Sequence, residues 1–121
     1  MIELQKSKKY DLEERTACFG EGVIVLCKTI PQNVITKPII SQFIRSATSI
    51  GANYMEANGA SSKKDFRNKI FICKKKAQET KHWVRMLSTA VSDRKEELRG
   101  FWKEAQEFIL IFGKIASSSK E

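Results

Sequence analysis

A seam of apolar and small side chains, repeating at alternating steps of four and three residues, constrains the fold of this chain more than any other feature. The repeat places its members along one side of a single long α-helix and predicts that this helix packs against others over its whole length. Just before it, Ser62-Lys-Lys-Asp65 has the order of a capping box, so the helix is predicted over 62–91. The seam comprises Phe66, Ile70, Cys73, Ala77, Thr80, Val84, Leu87 and Val91.

Three further stretches have helical spacing of apolar residues and recognisable ends. Asp11 is placed to cap a first helix that Pro31 would stop, and Pro38 suits the first turn of a second helix. Gly59 is expected to end that second helix in the left-handed conformation, and Asp93 to cap the fourth. No stretch alternates convincingly with period two, so no strand is predicted. The predicted helices span about 11–30, 38–58, 62–91 and 93–116.

These helices and their short links predict an all-α protein. The 121 residues are expected to form one domain, 1–121, arranged as an up-down-up-down antiparallel four-helix bundle with a frayed tail at 117–121. A content of 41% hydrophobic and 30% charged residues is typical of a soluble globular protein. Because no apolar stretch resembles a signal-peptide core or a membrane span, a reducing cytoplasm is the expected location.

The residues that usually carry metal or catalytic chemistry are few. Three cysteines without a C-x-x-C pair and a single histidine argue against a zinc site within one chain, and Cys73 is predicted to be a small core residue. The chain has no phosphate-binding loop and no E-x-x-H pair, and Glu56 has no matched base. Trp83 and Trp102 are predicted to pack rather than to stack on bases. We therefore expect neither an enzyme nor a cofactor.

The formal net charge of +8 is concentrated in the middle of the chain. Between Lys37 and Arg85 there are eleven basic residues and three acids, while the segments on either side are balanced. At about 100° per residue, five of the cations fall within about 40° of one another on one flank of the seam. They form a basic rail about 33 Å long at about 1.5 Å per residue. The rail consists of Lys63, Arg67, Lys74, Lys81 and Arg85, with Lys64, Lys75 and His82 beside it and Lys69 and Lys76 on the opposite flank.

Three interpretations of the basic rail are open. It binds the phosphates of RNA or DNA, which releases counterions; it docks an acidic protein; or it is a solvated face, although few acids stand at i+4 to relieve its repulsion. A membrane surface is not expected, because no exposed apolar stripe borders the rail. The first interpretation predicts a nucleic-acid site at Lys63, Lys64, Arg67, Lys74, Lys75, Lys81 and Arg85.

One flank of the second helix carries mostly small, uncharged, hydrogen-bonding side chains where Lys and Glu are usual. Such residues at heptad spacing let a second backbone approach and bond to it. The pattern favours a contact between identical chains, in which Arg45 of one chain meets Glu56 of the next. There are two alternatives: a solvated face that has no role, or a ligand site. The predicted oligomer interface comprises Gln42, Arg45, Ser46, Ser49, Asn53 and Glu56.

Four parts of the sequence carry a resemblance to a known family: Tyr10 to Thr16, Gln42 to Asn53 with Glu56-Ala57, Ser62 to Phe66, and Gln78-Glu-Thr80 with Trp83. Together they resemble the four-helix bundle family of 23S rRNA intervening-sequence proteins. The resemblance spans about 10–87 and is most specific in Ile-Arg-Ser-Ala-Thr-Ser-Ile-Gly-Ala-Asn, while the fourth helix matches only in pattern. The accessory variability determinant of diversity-generating retroelements looks like a more distant member.

This resemblance implies a bacterial protein that forms a ring of five bundles, a homopentamer. In the retroelement relatives the ring has a basic surface that binds nucleic acid and a reverse transcriptase, whereas the intervening-sequence members have no firmly assigned activity. The small-polar motif of the family maps onto Arg45, Ser46, Ser49, Asn53 and Glu56, which supports the interface interpretation. Lys75-Lys76-Ala77 stands where the family leads us to expect Lys-Glu-Ala, so the basic segment is stronger here.

The leading hypothesis is a non-enzymatic, homo-oligomeric bundle that binds RNA or DNA through phosphates with little base readout. The competing class is an adaptor whose basic face docks an acidic protein. A passenger of a selfish element, with no cellular role, is the third possibility. A reverse transcriptase is a protein partner only by distant analogy, because nothing in this sequence identifies it.

Overall fold

Four α-helices make up most of the structure, a computed structural model that describes residues 11–119. We label them α1 (Leu12–Cys27), α2 (Thr36–Asn58), α3 (Lys63–Ala90) and α4 (Lys95–Ser118), with a 3₁₀ turn, Ser92–Arg94, before the last. No strand occurs in the described range, and the predicted all-α four-helix bundle is confirmed. None of these helices combines the length and apolar character that crossing a bilayer requires. Tyr10 and the end of the tail lie outside the described residues.

Contacts between neighbouring helices run in opposite directions along the chain. On moving forward along one helix, the partners on the next helix come from progressively earlier positions. Consecutive helices are therefore antiparallel, as short links require. The contacting pairs are Thr16 with Gly51 and Gly20 with Thr48 for α1 and α2, Ser46 with Thr80 and Glu56 with Lys69 for α2 and α3, and Arg67 with Ala116 and Lys81 with Gln106 for α3 and α4.

The predicted seam forms the buried side of α3. Its six central members, from Ile70 to Leu87, are buried, and the two end members, Phe66 and Val91, are half-buried and pack against the core. Cys73 is fully buried, as predicted, and burial raises the pKa of its thiol to about 12. The seam thus gives α3 the central position, in close contact with both α2 and α4 along its length.

Helices α1 and α4 come close at only a few backbone positions and meet mainly through aromatic rings. Phe19 of α1 lies edge-on to Phe101 and Phe108 of α4, with ring centroids 5.7 and 5.4 Å apart. By contrast, α1 approaches α2 closely at Gly51, where an added Cβ would lie 3.1 Å from Thr16 Oγ1. Because large rings lie between α1 and α4 and small residues lie between α1 and α2, α1 packs more closely on α2 than on α4.

Two predicted helix starts have the expected caps. The Asp11 carboxylate accepts a hydrogen bond from the Glu14 N–H at 3.1 Å, and the Ser62 hydroxyl accepts one from the Asp65 N–H at 3.0 Å. Each bond satisfies a backbone donor that the first helical turn leaves free. These caps place the starts of α1 and α3 within one residue of the prediction.

Two predicted caps are wrong. Gly59 has φ −98°, outside the left-handed region, because its N–H turns back to the Glu56 carbonyl in a tightened last turn. Asp93 lies inside the 3₁₀ turn, so α4 begins two residues later and has no side-chain cap. The choice between an α-turn and a 3₁₀ turn at a helix end depends on packing around the link, which local sequence does not specify.

The link between α1 and α2 is longer than predicted. Helix α1 ends at Cys27, three residues before the predicted limit, and the Thr29 hydroxyl bonds the Leu26 carbonyl. Helix α2 begins at Thr36, where the Asn33 side chain accepts hydrogen bonds from the N–H groups of Ile35 and Thr36, both at 2.9 Å. An asparagine turn therefore starts α2 two residues before Pro38.

Candidate nucleic-acid interface

The basic rail lies along the boundary between α3 and α4. The Arg67 Nε–H donates to the Ala116 carbonyl at 3.1 Å, and the Lys81 ammonium donates to the Gln106 side chain at 2.5 Å. The Lys74 side chain extends past Gly113, since a Cβ added to Gly113 would lie 3.7 Å from Lys74 Nζ. These three side chains are half-buried, while Lys63 and Arg85 at the rail ends are exposed. The rail is thus the α3 wall of a groove, which we call the α3–α4 groove.

No acid neutralises the predicted nucleic-acid residues within the described part of the chain. The five ion pairs found there involve other cations, and none includes Lys63, Lys64, Arg67, Lys74, Lys75, Lys81 or Arg85. By contrast, the cations on the opposite flank of α3 are paired, since Lys69 contacts Glu56 at 2.8 Å and Lys76 contacts Glu79 at 3.3 Å. The positive charge that faces α4 is therefore uncompensated.

Helix α4 adds its own cations to this groove and directs most of its acids elsewhere. Lys95, Arg99 and Lys103 follow one another at steps of four, which keeps them near one side of the helix. Three of the four acids of α4 are held in ion pairs, Glu97 by Arg94 and the other two by Arg15 of α1. Those last two are Glu104, at 2.9 Å, and Glu107, at 2.5 Å.

The two carboxylates around Arg15 form the strongest polar contact between α1 and α4. Arg15 donates to both oxygens of Glu104 and to Glu107, and its guanidinium lies 5.2 Å from the centre of the Phe108 ring. The hydrogen bonds that Arg15 donates to these carboxylates, chiefly to Glu104, raise the pKa of Arg15 further above its ordinary value. The acids of α4 thus stabilise the α1 side of the bundle and leave the α3 side basic.

The groove deepens into a cleft of about 400 Å³ near the end of α3. Trp102 is 40% exposed there, and the Lys81 ammonium lies 4.2 Å from the centre of its ring. Of the two tryptophans predicted to pack, Trp83 is half-buried against the core, whereas Trp102 presents a large surface to solvent. The cleft is lined by Val84, Arg85, Ser88, Lys95, Arg99, Trp102 and Lys103, four of which are cationic and none acidic.

Sequence reasoning missed the contribution of α4 because its segment has no net charge. The i, i+4, i+8 spacing of Lys95, Arg99 and Lys103, with Trp102 between them, is the signal that indicates a second basic wall. That signal becomes decisive only when α4 is known to lie against the rail side of α3. Such an arrangement is a property of the packed bundle.

The predicted oligomer flank on α2 divides into two parts in the structure. Ser46 is buried, and its hydroxyl accepts a hydrogen bond from Thr80 of α3 at 3.0 Å, so it is not available to a second chain. Glu56 is paired with Lys69 of the same chain, which raises the pKa of that lysine. Heptad spacing groups these residues on one flank of α2, but α3 covers the edge of that flank where Ser46 lies.

The other predicted interface residues remain at the surface. Gln42 and Arg45 are exposed, while Ser49 and Asn53 are half-buried. The Ser49 hydroxyl donates to the Arg45 carbonyl at 2.6 Å, and the Asn53 amide donates to the Ser49 carbonyl at 2.8 Å. The Ser49 hydroxyl oxygen and the Asn53 side-chain carbonyl can each still accept a hydrogen bond.

The fold and this surface define a small four-helix bundle protein in which cations of two helices line one groove. Residues 8–114 match the family of 23S rRNA-intervening sequence proteins, and the chain belongs to that family. The match extends through most of α4, where the sequence resemblance was one of pattern alone.

A solved structure from Bacteroides thetaiotaomicron has a similar fold. It is described as a protein with unknown function from the S23 ribosomal protein family. The two chains are 28% identical with a TM-score of 0.74, and the alignment covers 86% of this chain and 96% of the other. No match is found among the curated proteins.

Proposed function

We propose that this chain is a non-enzymatic, homo-oligomeric bundle that binds RNA or DNA through phosphate contacts in the α3–α4 groove. The observation that carries the proposal is the separation of charge on α4, where three of the four basic residues line the groove and three of the four acids form ion pairs elsewhere. A row of unpaired cations from two helices attracts a polyanion and gains entropy as the counterions of the phosphates are released.

The phosphate mechanism predicts steep salt dependence. With about five cations of the groove in contact with phosphates, the slope of log affinity against log salt should be about −4.5 for a duplex. Affinity should therefore fall by about 500-fold between about 50 and 200 mM salt, measured by mobility shift or anisotropy with labelled RNA and DNA. Absence of binding at the lowest salt, or a flat salt series, contradicts the proposal. A pull-down of an acidic protein that resists nuclease would support the adaptor class instead.

The proposed assembly uses the part of the α2 flank that stays at the surface. Four residues with unburied polar groups lie there along about three turns of helix, which a second helix can contact continuously. They are Gln42, Arg45, Ser49 and Asn53. A homopentamer, the state implied by the family resemblance, would repeat the groove on every subunit, and several weak contacts with one nucleic acid would then act together.

Ser49→Glu should dissociate this assembly, because it places a larger charged group where a second backbone is proposed to approach. Light scattering coupled to size exclusion should show the mass falling from a multiple of the chain to that of one chain. Ser117→Glu, the same substitution at an exposed position of α4, is the matched control and should leave the mass unchanged. An unchanged mass for Ser49→Glu, with helical content retained, argues against this interface.

A further inference from the structure

The cleft in the α3–α4 groove differs chemically from the rest of the groove. It combines an exposed indole with four cationic side chains in a space of about 400 Å³. That volume lies within the range of about 300–1,000 Å³ that is usual for small-molecule sites. Phosphate contacts alone need only exposed cations, so the ring and the concave shape call for a further explanation.

The indole is held in a defined position. The Lys81 ammonium lies over the ring, and that lysine is itself bonded to Gln106. Lys81 does not line the cleft, so the exposed part of the ring remains open on the cleft side. An aromatic surface that is already oriented binds a flat partner at a lower entropic cost than a mobile one.

The cations around Trp102 select for an anion attached to that flat partner. Arg85 comes from α3, and Lys95, Arg99 and Lys103 come from α4, so cations of two helices line the cleft together with the ring. Their mutual repulsion is relieved when a negative group enters. A nucleotide supplies both parts, because its base stacks on an aromatic ring and its phosphate accepts charge-assisted hydrogen bonds.

A base reaches such a ring only when it is unpaired. In a duplex the faces of the bases are covered by their neighbours, whereas single strands present them to aromatic side chains. We infer that the cleft binds one unpaired nucleotide, with its base on Trp102 and its phosphate among the surrounding cations. The protein therefore prefers single-stranded nucleic acid to duplex. This inference rests on the proposed function of the same groove and adds the class of nucleic acid.

The test uses Trp102 as its own reporter. The chain has two tryptophans, so Trp83→Phe leaves Trp102 as the single fluorophore. Titration with an oligouridylate of about twelve nucleotides should quench its emission, and a duplex of equal length should bind more weakly and quench less. Trp102→Ala should weaken oligouridylate binding about tenfold to hundredfold and leave duplex binding within about twofold. Trp102→Phe, which keeps a ring, should retain most of the affinity.

Phe71→Ala is the matched control. Phe71 is 39% exposed, almost the same as Trp102, and the Arg67 guanidinium lies 5.1 Å from its ring centre, but it does not line the cleft. Its removal should change single-strand affinity by less than about threefold, because Phe71 lies outside the cleft, although Arg67, Lys74 and Lys75 are its neighbours one turn away on α3. An equal loss from both variants would overturn a specific role of the cleft.

The outcomes separate this inference from the function on which it rests. Salt-dependent binding that is unaffected by Trp102→Ala, or a preference for duplex, overturns the single-strand inference and leaves the phosphate groove in place. The inference also fails if Trp102→Phe, with unchanged thermal stability, binds as poorly as Trp102→Ala, or if polyglutamate quenches Trp102 as strongly as oligouridylate. No binding of any nucleic acid at low salt overturns both.

Discussion

Replacing Phe108 by alanine should lower the free energy of unfolding by about 3–5 kcal/mol, the largest effect on stability that we expect from one substitution. Phe108 is completely buried, lies edge-on to Phe19 at 5.4 Å and stacks on Phe112 at 6.0 Å. Its removal exposes a cavity at the point where α1 and α4 meet through aromatic rings. It also removes the aromatic ring that the Arg15 guanidinium contacts in a cation–π interaction.

Urea denaturation followed by circular dichroism, at one fixed protein concentration, measures this loss. Domains of this kind have total stabilities of about 5–15 kcal/mol, so the variant should be close to the limit of folding at physiological temperature. Leu110→Ala is the control, because Leu110 lies on the same helix but is 63% exposed, and its replacement should cost less than about 0.5 kcal/mol. A loss below about 1 kcal/mol for Phe108→Ala would show that the α1–α4 contact is not a tightly packed core.

Reversing two exposed cations of the groove should have the largest effect on binding. Arg85→Glu combined with Lys63→Glu should weaken nucleic-acid binding on the order of 100-fold at about 0.1 M salt and reduce the salt slope by about 2. Each change removes a proposed phosphate contact and adds a repulsive charge. Both side chains are exposed and make no hydrogen bond or ion pair in the described range, so the fold should be retained. Arg67 is less suitable, because its bond to the Ala116 carbonyl supports the end of α4.

The matched control changes the same charge at another place. Lys28→Glu combined with Lys37→Glu also lowers the formal net charge from +8 to +4, and both residues are exposed on or beside the α1–α2 link. Affinity should fall less than about fivefold in this variant, since only long-range attraction is reduced. Equal losses from the two double variants would mean that binding reflects net charge alone, and no loss from the first would exclude the groove as the site.

Much of the fold was predictable because its signals are local or strictly periodic. The seam of α3 identifies the central helix, and two caps, Asp11 and Ser62, mark helix starts that the structure confirms within one residue. The errors fall at links, where Gly59 and Asp93 do not act as caps. A link adopts the turn that lets both helices pack, and the energy of that packing exceeds the small preference of a single capping residue.

The candidate site was predictable only in part. Periodicity places Lys63, Arg67, Lys74, Lys81 and Arg85 on one flank, and that flank is basic and free of acids in the described structure. The same reasoning assigned Ser46 to an outer surface, although it is buried against Thr80. Angles along one helix show which residues lie together, but they do not show which neighbouring helix covers them.

The sequence by itself determined four amphipathic helices, the central seam, the family and the excess of positive charge on α3. Only the tertiary structure decided what that charge faces. Helix α4 is nearly neutral as a segment, yet packing turns Glu104 and Glu107 toward Arg15 and leaves Arg99 and Lys103 beside the rail. Opposite charges on one helix cancel in composition but separate in space when two different neighbours cover its two flanks. That separation makes a basic groove with an exposed tryptophan from a helix whose charges are balanced in the sequence.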